Sequence, residues 1–395
     1  SFPLEAYRSI VRILIDARCL QSPSPRSGVG VYAERIIREL IDGNQESRIR
    51  NSGIEWIVFA NGFVNPRPHL PRFDAPNVRW TIGRIPNTLW NLKTMFQIPD
   101  SRFQIPDVVF LPNLNFLPPL PTHTRLIVTV HDLSFEHFTD CFTWKQRVWH
   151  RMIRPRALLT RADTIIAMSE TTQRDLVETY GIPEKKIRVV YPGIEGSGVS
   201  TQLQGVLRQR YQLPAQFILT LSAIEPRKNI DGLIAAFELL PTTISPLHGL
   251  HLVIAGIPGS ASRAIHRQIA RSPARDRIHL LGAIPEHEKR ALLALASCFV
   301  YPSLWEGFGF PPLEAMAVGV PVVASTGGAL PEVLGNAALL VDPLDPNAIA
   351  DAITRIHTDA TLHADLRARG HARAAQFRWD TTAHQVLDCI MMGLP

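Results

Sequence analysis

The chain has 395 residues, of which 46% are hydrophobic and 19% are charged. This length and composition predict a globular protein with two domains of ordinary size, and the absence of long Pro, Ser or Gly tracts argues against disorder. The formal net charge of +6 favours contact with phosphates, nucleic acid or an anionic membrane without choosing among them.

The cysteines and the apolar runs restrict the compartment. Cys19, Cys141, Cys298 and Cys389 lie far apart, with neither metal-ligand spacing nor a dense disulfide pattern. No apolar run reaches the roughly 18 residues of a membrane span, and the N-terminus lacks a signal-peptide layout. We therefore expect a cytoplasmic protein with reduced thiols.

The chain begins with a strand, a glycine-containing loop and a helix. Residues 11–18 form an apolar strand that ends in Asp16 and Arg18, and a helical period of apolar residues starts at position 31. Gly28 and Gly30 in the loop would allow a ligand to approach the backbone closely, although a plain tight turn is an equally good interpretation. This order is typical of the first unit of a Rossmann-like domain.

Polar residues follow the last of the next predicted strands. His131 and Asp132 come directly after an apolar run, and such positions in a parallel sheet point into the ligand crevice. A structural role for His131 is the alternative. Residues 62–103, rich in Pro, Arg and Trp, stay unassigned. The predicted strands are residues 54–61, 106–113 and 125–135.

Residues 143–161 form a basic segment that contains no acidic residue. One interpretation is a solvated helix that packs its apolar side on the core. The other is a contact with an anionic membrane surface, with aromatic residues at the interface. Nucleic acid is not expected, because no recognised binding motif accompanies the segment. The cations are Lys145, Arg147, Arg151, Arg154, Arg156 and Arg161.

The second half repeats the alternation of strands and helices after a linker near residue 196. A strand that precedes Ser222 leads to a loop containing Arg227 and Lys228, and a helix follows. Two cations beside a helix N-terminus make a strong anion site. An exposed basic turn is the alternative.

The most informative segment spans residues 303–325 and carries Glu306 and Glu314, separated by seven residues. Pro311 and Pro312 lie between them and predict that a helix begins only after the prolines, at Leu313. Glu314 would then lie in the first helical turn, where a glutamate often serves only as a dipole partner. A buried strand should follow.

Taken together, these motifs resemble retaining glycosyltransferases of family 4, which have a GT-B fold. The similar features are the E-x7-E segment, the D-x-R start, the G-V-G-x-Y loop, HDLSF and EPRKN. The resemblance implies an α/β chain with two Rossmann-like domains facing across a cleft. The domains would be residues 1–195, on the acceptor side, and 196–376, which bind the donor, with a terminal helix at 377–395 that returns to the first domain.

The resemblance also implies roles for individual residues. Glu306 would lie by the donor sugar, Glu314 would bind the ribose, and the backbone near Ala283 and Ile284 would meet the base. The implied catalytic residues are His131, Glu306, Arg227 and Lys228. The implied donor-binding residues are Gly28, Gly30, Ser222, Arg227, Lys228, Ala283, Ile284, Glu306, Phe308, Gly309, Phe310, Leu313 and Glu314.

Within the family, the motifs resemble a bacterial mannosyltransferase-like branch that acts in surface polysaccharide or O-antigen assembly. The expected donor is GDP-mannose, with GDP-rhamnose and UDP-hexoses as alternatives, and no metal or other cofactor is expected. The acceptor would be a glycan or a lipid-pyrophosphate-linked saccharide. A GT-B sugar-nucleotide epimerase or hydrolase, and a non-catalytic protein that binds nucleotide sugars or membrane surfaces, remain open at this stage.

Overall fold

The computed structural model describes most of the chain, with gaps concentrated in the first 122 residues. It covers residues 10–21, 28–43, 53–61, 70–73, 75–84, 89, 105–117, 123–196, 198–241, 243–244 and 246–394. Most of the unassigned stretch 62–103, and most of the loop before Gly28, lie outside this range.

The first domain is built on a parallel sheet of seven strands in the order β3-β2-β1-β4-β5-β6-β7. The strands are short and almost wholly apolar, as expected for a sheet covered by helices on both faces. The order reverses beside β1, and a ligand crevice lies at the carboxyl ends of the strands where such a reversal occurs. The strands are β1 (Val11–Asp16), β2 (Ile54–Asn61), β3 (Val78–Gly83), β4 (Val108–Leu111), β5 (Arg125–Val130), β6 (Thr164–Ala167) and β7 (Ile187–Val189).

The second domain has a parallel sheet of six strands in the order β10-β9-β8-β11-β12-β13. Its order reverses between β8 and β11, which places a second crevice at the carboxyl end of β8. The strands are β8 (Phe217–Leu221), β9 (His251–Ala255), β10 (Ile278–Gly282), β11 (Cys298–Tyr301), β12 (Val322–Ser325) and β13 (Leu339–Val341).

The first domain contains the described helices α1 to α5. The basic segment, predicted as one helix, is two helices, because Arg154 adopts a left-handed conformation with φ of 55° and Pro155 starts a new helix. The helices are α1 (Gly28–Asp42), α2 (Ser134–His137), α3 (Trp144–Ile153), α4 (Pro155–Arg161) and α5 (Glu170–Tyr180).

The second domain contains the described helices α6 to α13, and α14 follows them. None of the described helices combines the length and the apolar composition needed to span a bilayer. They are α6 (Thr201–Arg210), α7 (Ile230–Glu238), α8 (Ser262–Arg271), α9 (Glu286–Leu293), α10 (Phe310–Ala317), α11 (Leu330–Leu334), α12 (Pro346–Thr358), α13 (Ala360–Ala374) and α14 (Trp379–Met391).

Helix α14 returns to the first domain and packs against α1. The hydroxyl of Thr382 donates to the carbonyl oxygen of Tyr191 at 2.8 Å, and the guanidinium of Arg125 donates to the carbonyl oxygen of Ile390 at 3.2 Å. One apolar cluster contains residues of both sheets and of α14. The two domains therefore share a core as well as a cleft.

Candidate active site

A cavity of about 960 Å³ is lined by residues of both domains, near the carboxyl ends of the two sheets. The Gly28 end of α1 approaches the second domain there, since a Cβ at Gly28 would lie 3.7 Å from Cδ2 of Phe310. The predicted site residues that line the cavity are Gly28, His131, Ser222, Arg227, Lys228, Ala283, Ile284, Glu306, Phe308, Gly309, Phe310 and Glu314.

Two predicted donor-binding residues do not line this cavity. Gly30 is buried within helix α1, which begins at Gly28 instead of after the glycines. Leu313 is fully buried and belongs to the apolar core, because it lies on the face of α10 that packs inward. Neither residue therefore meets the cavity, and their predicted roles in donor binding stay predictions.

Helix α10 also begins three residues earlier than predicted, at Phe310. Pro311 and Pro312 fit into its first turn, because the backbone N–H groups of that turn have no partner within the helix. Glu314 therefore lies beyond the first turn, and its predicted place within that turn is wrong.

The carboxylate of Glu306 is the centre of the polar network in the cavity. Its Oε1 lies 2.5 Å from Nζ of Lys228, and its Oε2 lies 3.2 Å from a terminal nitrogen of Arg227. The hydroxyls of Ser303 and Tyr301 donate to Oε1 at 2.5 and 3.1 Å. Glu306 itself is only 8% exposed, so these partners replace the water that the carboxylate has lost.

Electrostatics keep Glu306 charged. Burial alone would raise its pKa, but the charges of Lys228 and Arg227 outweigh burial and lower the pKa to about 2. Because this pKa lies below the ordinary value of 4.5, the ion pairs stabilise the fold at neutral pH. That stabilisation is lost as the pH falls through the folded-state pKa.

The two cations owe their position to a tight turn. Pro226–Lys228 forms a single 3-10 turn, and Asn229 follows with φ of 53° before α7 begins. The side-chain amide of Asn229 donates to the carbonyl oxygens of Pro302 and Pro343 at 3.1 and 2.6 Å. These bonds tie the turn to the loop that carries Glu306.

The cluster of Arg227, Lys228 and Glu306 carries one net positive charge. Burial lowers the pKa of Lys228, and Glu306 only partly offsets this effect. A second anion bound here would stabilise the charged ammonium further. The predicted anion site at Arg227 and Lys228 is therefore compatible with the structure. The sequence did not reveal that both cations share the carboxylate of Glu306.

Glu314 forms a second polar group in the same cavity. Its Oε1 lies 2.7 Å from Nζ of Lys289, which also contacts Oε1 of Glu286 at 2.8 Å. Its Oε2 is buried and has no hydrogen-bond partner among the described residues. A buried acceptor of this kind has a substantial free-energy cost unless a ligand donates to it. Lys289 was not predicted, because a lysine on an ordinary helix gives no signal.

His131 lies at the cavity wall, directly after β5. Its Nε2 is 3.0 Å from the carbonyl oxygen of Pro112, so this nitrogen carries the proton. Burial lowers the pKa of the ring, and the bond to Pro112 only partly opposes this effect. The imidazole is therefore neutral, with Nδ1 as a hydrogen-bond acceptor.

Comparison with known proteins places these observations in one family. A family model described as "Glycosyltransferase Family 4" matches residues 26–196, and one described as "Glycosyl transferases group 1" matches residues 208–373. O-antigen chain mannosyltransferase B of Escherichia coli is 34% identical over 267 residues, which are 67% of this chain and 69% of that protein. The chain belongs to glycosyltransferase family 4. It is therefore an enzyme that uses a nucleotide-sugar donor, and the predicted family is confirmed.

Two further matches support the family and the fold. A serotype-specific mannosyltransferase of Escherichia coli, WbdA, is 33% identical over 232 residues, which are 58% of this family 4 chain but only 28% of WbdA. A sucrose-phosphate synthase structure from Thermosynechococcus elongatus superposes with a TM-score of 0.72 at 21% identity, covering 96% of this chain and 98% of that one. The predicted GT-B fold, with two Rossmann-like domains facing across a cleft, is confirmed.

Within this family 4 enzyme, the D-x-R motif has a structural role near the cleft. The guanidinium of Arg18 donates to both carboxylate oxygens of Asp16 at 2.8 Å, and also to the carbonyl oxygen of Phe116 at 2.6 Å. Both side chains are buried, and neither lines the cavity. The ion pair therefore connects the loop that follows β1 to the loop that follows β4.

Sequence reasoning missed Gly307. A Cβ at this position would lie 1.9 Å from the carbonyl oxygen of His131 and 2.7 Å from Cβ of Asp132. Only glycine therefore lets the Glu306 loop approach the first domain this closely. The residue is visible in the sequence as the first glycine of GFGFPP, but its partner lies in the other domain.

Across the described ranges, no group of three or more His, Cys, Asp or Glu side chains is arranged to hold a metal ion. Among the charged groups that face the cavity, Arg227 and Lys228 pair with Glu306, and Lys289 pairs with Glu314.

Proposed function

We propose that this enzyme transfers a mannosyl group from GDP-mannose to a saccharide acceptor with retention of the anomeric configuration. The donor site is inferred from the buried cluster of Arg227, Lys228 and Glu306 in the cavity between the domains. The choice of mannose is supported by relatives that are named mannosyltransferases, among them the two Escherichia coli proteins compared above.

The cavity residues suggest how the donor binds. Arg227 and Lys228, beside the start of α7, would hold the diphosphate. The unpartnered Oε2 of Glu314 would accept a hydrogen bond from a ribose hydroxyl, and the backbone at Ala283 and Ile284 would meet the base. The loop of Phe308, Gly309 and Phe310 would hold the sugar.

In this proposal, catalysis depends on stabilising the leaving group. Departure of the diphosphate develops negative charge on its oxygens and positive oxocarbenium character on the sugar. Arg227 and Lys228 stabilise the negative charge without reorganisation, because Glu306 and the Pro226–Lys228 turn already hold them in place. These cations supply the charge that a metal ion would otherwise provide.

Glu306 acts here through its charge instead of as a covalent nucleophile. Its oxygens already bind the cations and two hydroxyl groups, which hold the carboxylate in place as a fixed negative charge. Its negative charge would stabilise the oxocarbenium character. His131, neutral and with Nδ1 as an acceptor, would bind a hydroxyl of the donor sugar or of the acceptor.

A donor panel tests this function. Thermal shifts with GDP, UDP, ADP and their sugars should be largest for GDP and GDP-mannose. The enzyme should then move labelled mannose onto a lipid-pyrophosphate-linked saccharide and form an α-linked product, because the donor is α-linked. EDTA should leave the rate unchanged, and added magnesium should not raise it.

Other outcomes would overturn specific parts of the proposal. A larger shift with UDP or ADP would exclude GDP-mannose as the donor, and loss of activity in EDTA that magnesium restores would exclude a metal-independent reaction. Release of free mannose at the same rate with and without acceptor would indicate a hydrolase. Conversion of the donor to another nucleotide sugar would indicate an epimerase.

We also propose that helix α3 contacts the inner face of the cytoplasmic membrane, where a lipid-linked acceptor of O-antigen assembly would lie. Trp144, Val148 and Met152 follow one another at four-residue spacing and are 66%, 45% and 37% exposed. Apolar residues at this spacing form one stripe on a helix. An exposed apolar stripe within a basic segment is typical of interfacial helices. Beside it, Arg154, Arg156 and Arg161 line a cavity of about 660 Å³.

Charge reversal tests the membrane contact. The double variant Arg151→Glu and Arg154→Glu should lower partitioning onto phosphatidylglycerol vesicles about 30-fold or more, since each basic residue contributes about 1 kcal/mol. The matched control is Arg263→Glu with Arg267→Glu, on exposed positions of α8. Equal sedimentation of both variants and wild type would show that α3 is only a solvated helix.

A further inference from the structure

Glu332 in the second domain binds the first domain directly. It lies on the short helix α11, and its Oε1 accepts hydrogen bonds from the backbone N–H of Glu170 at 2.6 Å and from the hydroxyl of Tyr191 at 2.8 Å. Its Oε2 accepts from the backbone N–H and the hydroxyl of Thr171 at 2.9 and 2.7 Å. One carboxylate thus receives four hydrogen bonds across the domain boundary.

The contact of Glu332 with the start of α5 combines a charged carboxylate with the N-terminus of a helix, which strengthens its hydrogen bonds. Glu170 and Thr171 are the first residues of α5, where backbone N–H groups lack partners within the helix and the helix dipole attracts negative charge. Hydrogen bonds to an ionised carboxylate are roughly twice as strong as neutral ones. Glu332 therefore acts as an N-terminal partner for a helix of the opposite domain.

The contact is connected to the catalytic segments on both sides. In the first domain, the hydroxyl of Thr172, the next residue of α5, donates to the carbonyl oxygen of His131 at 3.3 Å. In the second domain, the backbone N–H of Ala329, three residues before Glu332, donates to the carbonyl oxygen of Glu306 at 2.8 Å. Short hydrogen-bonded links therefore join Glu332 to the backbone of both residues.

The helix that carries Glu332 is fixed on its own domain. The guanidinium of Arg373 donates to the carbonyl oxygens of Glu332 and Val333, both at 2.8 Å. Gly328 also packs its backbone against Glu306, since a Cβ there would lie 2.2 Å from the Glu306 carbonyl oxygen. A movement of α5 relative to Glu332 would therefore change the position of His131 relative to Glu306.

We propose that Glu332 is a positioning residue: by binding the start of α5, it holds the two domains at the separation at which His131 and Glu306 face the same donor sugar. The kinetic consequence rests on the proposed mannosyl transfer, whereas the effect on domain separation does not. Arg227, Lys228 and Glu314 all lie in the second domain, so nucleotide affinity should not depend on this contact. Transfer, and exclusion of water from the cleft, should depend on it.

The principal variant is Glu332→Ala, measured in two ways. Small-angle X-ray scattering should show a larger radius of gyration than for the wild type, in the absence of any donor. With GDP-mannose and acceptor, kcat should fall at least tenfold and the share of donor lost to hydrolysis should rise, while the Kd for GDP changes less than twofold. The matched control is Glu238→Gln, an exposed glutamate at the end of α7, which should change none of these quantities.

Variants of the residues that donate to Glu332 test the same inference if Glu332→Ala folds poorly. Tyr191→Phe and Thr171→Val each remove one hydroxyl donor and leave the backbone bonds, so each should lower kcat by a smaller factor. Tyr191→Phe should have no further effect in the Glu332→Ala background, because the bond is already absent there. Glu332→Gln, which keeps one carbonyl acceptor, should recover part of the activity.

Two results would overturn the inference. One is the absence of an effect: Glu332→Ala leaves both the radius of gyration and kcat unchanged, or the two hydroxyl variants leave kcat unchanged. The other is an equal loss of kcat and GDP affinity, which would show general damage to the fold. A wild type that fails to use GDP-mannose would contradict the proposed function alone, because the scattering measurement needs no substrate.

Discussion

Lys228→Ala should raise the Kd for GDP about 100-fold while the protein stays folded. The ammonium of Lys228 is buried in the cavity and lies 2.5 Å from Oε1 of Glu306. Truncating one partner of a buried charge pair that forms on binding, here Lys228 with the diphosphate, costs about 2 to 5 kcal/mol of binding free energy, and about 2.7 kcal/mol corresponds to 100-fold. Removal of the Lys228 ammonium eliminates the net positive charge of the cluster, so the diphosphate would meet a neutral pair of Arg227 and Glu306.

Calorimetric titration with GDP measures this effect, and circular dichroism checks the fold. Lys185→Ala, at an exposed position of the first domain, is the matched control and should bind GDP as the wild type does. Arg227→Ala should weaken binding as well, and it removes in addition a hydrogen bond to the carbonyl oxygen of Trp305. Unchanged GDP affinity in both cavity variants would exclude these residues as the diphosphate site.

Glu306→Gln should separate catalysis from nucleotide binding. Loss of a preorganised charge in an active site lowers kcat by about 100- to 1000-fold. GDP affinity at neutral pH should be retained or increase, because Arg227 and Lys228 are then no longer neutralised by the carboxylate. The amide is close in size to the carboxylate, so the shape of the cavity is kept.

The same variant has a predicted pH dependence. Burial already lowers the pKa of Lys228, and the Glu306 charge partly opposes this effect. Without that charge, the pKa of Lys228 should fall further, and GDP affinity should decline at alkaline pH more steeply than in the wild type. A fall of kcat and GDP affinity by the same factor at neutral pH would contradict the assigned role of Glu306.

Several elements were predictable because they depend on local chemistry. The parallel sheets follow from short apolar strands alternating with helical periods, and the positions of His131, Arg227 and Lys228 follow from the ends of those strands. Predictions failed where local rules allow two outcomes. Prolines are excluded from a helix interior but fit its first turn, which moved the start of α10 to Phe310. Strand β3 lies in a stretch whose composition shows no clear period.

The amino-acid sequence by itself determined the fold class, the family and the chemical types of the site residues, because hydrophobic periodicity and motif spacing are properties of neighbouring positions. Only the tertiary structure decided which charges share a partner. Glu306 meets Lys228 across 78 positions and Glu332 meets the start of α5 across 162. No local pattern encodes such pairs, because the first forms only when the strand ends of the second domain meet, and the second forms only when the two domains pack together.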